Sequence, residues 1–236
     1  MSKRIIGEYS EGHLLKTAKN AVAEKTKNTT ILDKEAEDRI PKFKMSELNL
    51  GKVLGRGGFC VVNEITKITL SENNNNGENG KKDGANNKLD DEHQIFNIVQ
   101  DRNFMASHCI RSGRDYRYAL KILQESSYKD PHTFVSGVVD LAIESRFLSV
   151  VRHPNIIKMR AMADMEDAFA SSKFFVVLDR LYDILTVRVE KWRKSQVKGM
   201  KKLFDRKGKK ALAFWVERLT VAYDLACALK YMHDLQ

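Results

Sequence analysis

The stretch Gly55-Arg56-Gly57-Gly58-Phe59-Cys60 constrains the fold of this chain more than any other, because of what flanks it. Val53 precedes it, and Val61, Val62, Ile65, Thr66, Ile68 and Thr69 follow. β-Branched residues on both sides of a glycine break predict two strands around a turn. A dinucleotide-binding fold needs a helix directly after its glycines, with the helix N-terminus facing the pyrophosphate. Val61-Val62-Asn63-Glu64-Ile65 is strand-like instead. A Walker A loop ends on Gly-Lys-Ser/Thr, which Phe59-Cys60 does not supply. Taken alone, the motif is equally an ordinary glycine-rich hairpin turn.

The rest of the chain predicts an α+β fold. A third strand is expected at 116–123 and another at 173–178. Between them a helix is expected at about 131–151, with Asp130 as N-cap and Pro131 at the first helical position. Phe134, Val138, Leu141, Leu148 and Val151 repeat there at helical spacing. Arg152-His153-Pro154-Asn155-Ile156-Ile157 makes a turn into a strand. Residues 183–197 and 211–233 read as helices. Residues 1–46 are polar and mixed in charge, and read as a flexible leader holding one short amphipathic helix at Leu14, Leu15, Ala18, Ala21 and Val22. Seven Asn and three Gly fall between Asn73 and Asn87. Residues 71–92 therefore read as low-complexity and without fixed structure, the core of an insertion spanning 71–113. Apolar residues from Ile95 to Ile110 suggest a short helix within it.

No run of 18 apolar residues exists, so no membrane-spanning helix is expected. The N-terminus lacks the apolar stretch of a secretory signal. Cys60, Cys109 and Cys227 are far apart and odd in number, which supports neither a zinc site nor a disulfide framework. The expected compartment is reducing, cytosol or nucleus. Net charge is +10, and 188–210 alone carries eleven Lys/Arg against Glu190 and Asp205. Such a segment binds phosphates, anionic lipid or acidic protein, or is a solvated surface.

Three further elements stand in order behind the glycine loop. Ala119-Leu120-Lys121 lies on the third strand, where a lysine supplies a point charge to phosphates. Glu144 lies mid-helix, nine residues before His153-Pro154-Asn155-Ile156. A glutamate there can pair with Lys121. In this order and spacing the chain resembles a eukaryotic-type protein kinase domain, of the Ser/Thr type, from about Leu50 to Gln236. The resemblance implies an N-lobe at 47–181, an antiparallel β-sheet plus one αC-type helix, followed at 182–236 by only the first helices of a C-lobe. It implies ATP as cofactor and phosphoryl transfer to a protein hydroxyl. Gly55 and Gly57 would cover the phosphates, and Cys60 replaces the family's third glycine. Val62 and Ala119 would roof the adenine, with Leu54 at the mouth. Lys121 and Glu144 would hold the phosphates, Leu178 would be the gatekeeper, and Asp179-Arg180-Leu181 the hinge. Ala228-Leu229-Lys230-Tyr231-Met232-His233 resembles the end of the helix before the catalytic loop.

The 236 residues contain no His-Arg-Asp loop, no Asp-Phe-Gly and no Ala-Pro-Glu. The catalytic aspartate and the Mg2+ ligands of the family therefore have no counterpart here, and the chain is expected to be an incomplete kinase domain with negligible phosphotransfer of its own. The alternative is a kinase-like binding module without catalysis. A nucleic-acid-binding role for the basic segment is disfavoured, since only Trp192 and Phe204 are interleaved there and no nucleic-acid-binding motif is present.

Overall fold

The computed structural model describes residues 4–71, 87–111, 115–196 and 209–235, in two compact units. The first comprises residues up to Val151 together with Ile157–Arg180; the second comprises Arg152–Ile156 and the residues from Leu181 onward.

The first unit is built on a six-stranded sheet. In chain order its strands are β3 (Lys42–Phe43), β4 (Leu48–Arg56), β5 (Cys60–Ile68), β6 (Tyr118–Leu123), β7 (Met159–Ala163) and β8 (Phe175–Asp179), following a separate small hairpin of β1 (Ile5–Ile6) and β2 (Tyr9–Ser10). The spatial order is β3-β7-β8-β6-β5-β4. Phe175, Val176, Val177 and Leu178 are buried on both faces, as expected of a central strand. The expected antiparallel sheet holds for β4 through β8, but β3 pairs with β7 in parallel, so the sheet is mixed. Two residues at a sheet edge leave no period-2 pattern to read, which is why β3 had no signal.

Helix α4 (Pro131–Val150) packs on the sheet through Phe134, Val138, Leu141 and Leu148. Its start follows the predicted capping. Asp130 accepts from the Thr133 amide at 2.7 Å and the Thr133 hydroxyl at 2.8 Å, and these bonds lower its carboxyl pKa.

The leader departs from expectation. Ser10 caps α1 (Glu11–Thr26) by accepting from the His13 amide at 3.3 Å. Ala18 and Val22 are fully buried, and α1 lies along α4. Lys19 Nζ reaches Asp167 at 2.8 Å, and Glu11 accepts from the Ser172 amide at 3.2 Å. Gly7, at φ 60°, turns the small hairpin against Pro131, where a Cβ would come within 2.8 Å of the ring. Residues 5–26 are thus part of the fold. The sequence hid this because a helix burying one narrow stripe is otherwise covered in Lys, Glu and Asn. The short α2 (Lys34–Asp38) follows.

Within the insertion, 72–86 and 112–114 lie outside the described residues. The helix expected after Ile95 instead begins at Asn87, within the stretch read as unstructured, and runs to Ser107 as α3. It is tied to the sheet edge by a buried network: Arg102 pairs with Glu47 at 2.7 Å, donates to the Lys42 carbonyl and lies 4.7 Å over the Phe43 ring. Glu47 also accepts from Ser71 and the Lys44 amide.

The second unit contains α5 (Leu185–Gln196) and α6 (Lys209–Asp234); most of the basic segment between them, residues 197–208, lies outside the described residues. The His-Pro-Asn turn docks on α6, with the Arg152 amide donating to the Tyr231 hydroxyl at 3.1 Å and Asn155 Nδ2 donating to the Asp224 carbonyl at 3.1 Å. No helix among the described residues is long and apolar enough to cross a membrane.

Candidate functional site

Strand pairing places most of the sequence-predicted site residues on one face of the sheet. Directly opposed residues share a face. One row is Val62, Lys121 and Val176, and the next is Glu64, Ala119 and Leu178, with Cys60 opposite Leu123 beyond them. Helix α4 covers part of this face: Lys121 Nζ forms an ion pair with a Glu144 oxygen, and Leu123 packs at Gly137. Both partners of the ion pair are partly exposed, 24% and 32%, so the charges remain within reach of solvent and of a ligand. Ala119 and Leu178 are buried and Val62 half-buried. Leu54 is half-buried within the register irregularity of β4 between Val53 and Gly55.

The glycine loop is a closed hairpin turn, with the Gly57 amide donating to the Cys60 carbonyl at 2.8 Å. It is held from the far side by residues that carried no sequence signal. Gln124 Nε2 donates to the carbonyls of Gly57 at 3.2 Å and Gly58 at 2.8 Å. The Gln124 amide and the Ser127 hydroxyl both donate to the Phe59 carbonyl, at 2.9 and 2.8 Å. Loop carbonyls are therefore engaged towards the chain end of β6.

The glycines themselves are not explained from within the chain. Their φ angles are not positive, so no left-handed backbone demands them. A Cβ on Gly55 or Gly58 would meet nothing within 4 Å, and one on Gly57 only the Cys60 carbonyl at 3.6 Å. Three near-consecutive glycines cost conformational entropy, roughly 0.5–1 kcal/mol each relative to Ala. Open space above bare backbone is what a loop needs if an external group lies against it.

Gly137 is the opposite case. A Cβ there would come within 2.8 Å of Leu123 Cδ2 and 2.9 Å of Phe59 Cβ, so the glycine lets the loop phenylalanine seat on α4. Gly137→Val is expected to destabilise the chain by about 1–3 kcal/mol through overpacking. A urea midpoint equal to the parent's would show that Phe59 is not seated there. Cys60, on the same face as Lys121, is a buried thiol whose pKa burial pushes up to about 11, so it is protonated at neutral pH and is no nucleophile.

At the end of β8, where the resemblance placed a hinge, the Asp179 amide donates to the Lys158 carbonyl at 3.0 Å and the Arg180 amide to the Arg117 carbonyl at 2.8 Å. The Asp179 carboxylate is gripped by Arg160 at 2.8 and 2.9 Å, and so is turned to β7. Leu181 is 65% exposed and opens the second unit, apart from the other site residues in the division of the chain. No cluster of His, Cys, Asp or Glu able to hold a metal ion occurs among the described residues.

No protein-family model matches the chain, and no curated protein matches it.

Proposed function

We propose that this chain is the ATP-binding part of a protein kinase, of the Ser/Thr type, in which Lys121 neutralises nucleotide phosphates beneath the Gly55–Cys60 hairpin. The observation that carries this reading is the Lys121–Glu144 ion pair on the sheet face that also presents Val62, Ala119 and Leu178. Glu144 fixes a flexible ammonium in one place, which lowers the ordering cost of meeting a phosphate. Val62, Ala119 and Leu178 supply an apolar surface of the kind that takes a planar base. Bare glycine backbone supplies open room for the phosphates. When bound, ATP would bring the transferable phosphoryl group. The chain's own residues would bind and orient it, and the described residues offer no cluster to ligate Mg2+.

A kinase-like module that docks a partner without catalysis is the second reading. It is favoured by α6, where Leu212, Trp215, Leu219 and Tyr223 are exposed.

Calorimetric titration of the full chain with MgATP tests the first reading. Saturable binding at one site, competed by ADP, is expected, with no transfer of phosphate to a generic protein substrate. Absence of binding at millimolar ATP would contradict it.

A further inference from the structure

The ordered part of the leader closes a cavity that the ATP reading does not use. It has a volume of about 530 Å³ and is lined from α1, α2, α4, the end of β7 and the segment that follows it. All of this lies within the first unit, and none of the lining residues belongs to the candidate ATP site. The apolar part of the wall comes from Leu32 and Met165, both half-buried, and from Met162, Ala168 and Phe174, which are buried.

Two charged residues of the lining stand out. Glu37 on α2 and Arg146 on α4 are opposite in sign and both half-buried. The Arg146 guanidinium lies 5.7 Å from the centre of the Phe169 ring. Among the described residues, neither side chain makes a hydrogen bond or an ion pair. Burial pushes the Glu37 carboxyl pKa up, and the charge of Arg146 offsets part of that rise. The carboxylate has therefore given up hydration without gaining a donor. The other charged residues of the lining are served differently. Lys19 holds Asp167 at 2.8 Å, and the Phe169 amide donates to the same carboxylate at 2.8 Å. Lys42 stands 3.9 Å from Asp38, and the rest are exposed to water.

An unpaired anion and an unpaired cation beside an apolar wall are the complement of a small apolar zwitterion. A ligand ammonium would meet Glu37. A ligand carboxylate would meet the forked N–H groups of Arg146, and an apolar side chain would lie on the wall. A singly charged ligand would leave one of the two protein charges half-buried and without a partner, which is unfavourable.

We infer that this cavity binds a free apolar α-amino acid, held between Glu37 and Arg146. The inference is independent of the ATP reading and concerns a different part of the fold.

Calorimetric titration of the full chain with L-leucine and with L-phenylalanine tests it. Saturable binding of at least one of them, at a single site and at millimolar concentration, is expected. The N-acetyl form of that amino acid lacks the ammonium and the amide form lacks the carboxylate. Each should bind about tenfold or more weakly, because each forgoes a hydrogen-bonded charge contact. Glu37→Gln and Arg146→Met should each weaken the amino acid by a similar factor, with the far-ultraviolet dichroism unchanged. The ligand comparisons leave the protein untouched, so they decide the matter should Arg146→Met fold poorly. Absence of binding by both amino acids at millimolar concentration would overturn the inference. Equal affinity for the N-acetyl or amide form, or unchanged affinity in both variants, would overturn it as well. None of these results bears on MgATP binding.

Discussion

Ala18→Asp is expected to destabilise the chain by about 3 kcal/mol or more, enough to unfold much of it at room temperature. Ala18 is fully buried where α1 lies along α4, so a carboxylate introduced there would lose its hydration. Val22→Asp should do the same for the same reason. Lys19→Ala is the informative control. It removes the 2.8 Å ion pair to Asp167, but the lysine is 59% exposed, and an exposed pair is worth only about 0–1 kcal/mol. Urea unfolding monitored by far-ultraviolet dichroism would check all three. An Ala18→Asp midpoint close to the parent's would mean that α1 does not pack on α4.

Lys121→Met is expected to weaken MgATP binding about ten- to a hundredfold, since a hydrogen bond to a charged group contributes roughly 1.5–3 kcal/mol. The thermal midpoint should barely change. The ammonium is partly exposed, and methionine covers the same apolar path along the strand. Glu144→Gln should weaken binding in the same direction but less, because it loosens the lysine rather than removing it. Equal MgATP affinity in Lys121→Met and parent would show that the lysine is a surface charge with no part in phosphate binding.

The elements nearest the site were the most legible from sequence. The glycine hairpin, the strand carrying Lys121, the helix capped by Asp130 and the strand ending at Asp179 fall within a few residues of their expected bounds. Each carries a local signal: glycines between β-branched runs, a capping residue followed by proline, or a continuous apolar run. The pairing of Lys121 with Glu144 was expected only from the kinase-like order and spacing of the motifs, and the two side chains do form an ion pair.

Less local features were not legible. Ser10 capping α1 and the stripe of Leu14, Leu15, Ala18 and Val22 are modest signals in a polar stretch, and only packing on α4 decides that the segment is ordered. Glu64, which pairs with Arg180 at 3.0 Å, read as one polar residue in a strand, since nothing in its neighbours reveals an arginine more than a hundred positions later. Gln124 and Ser127 hold the glycine loop through main-chain carbonyls, a contact that leaves no pattern in residue type. The asparagine-rich composition of 71–92 also gave no warning that α3 starts at Asn87, as helix formation there draws on the Arg102–Glu47 network at the other end of the element.

The central claim is that Lys121 faces bound nucleotide phosphate. Amine acylation of the full chain with and without saturating MgATP, read by peptide mass spectrometry, addresses it directly. Lys121 should be strongly protected by MgATP, while Lys129 and Lys173, which lie outside the strands of the sheet, should react alike in both samples. Unchanged labelling of Lys121 under saturating MgATP would contradict the account.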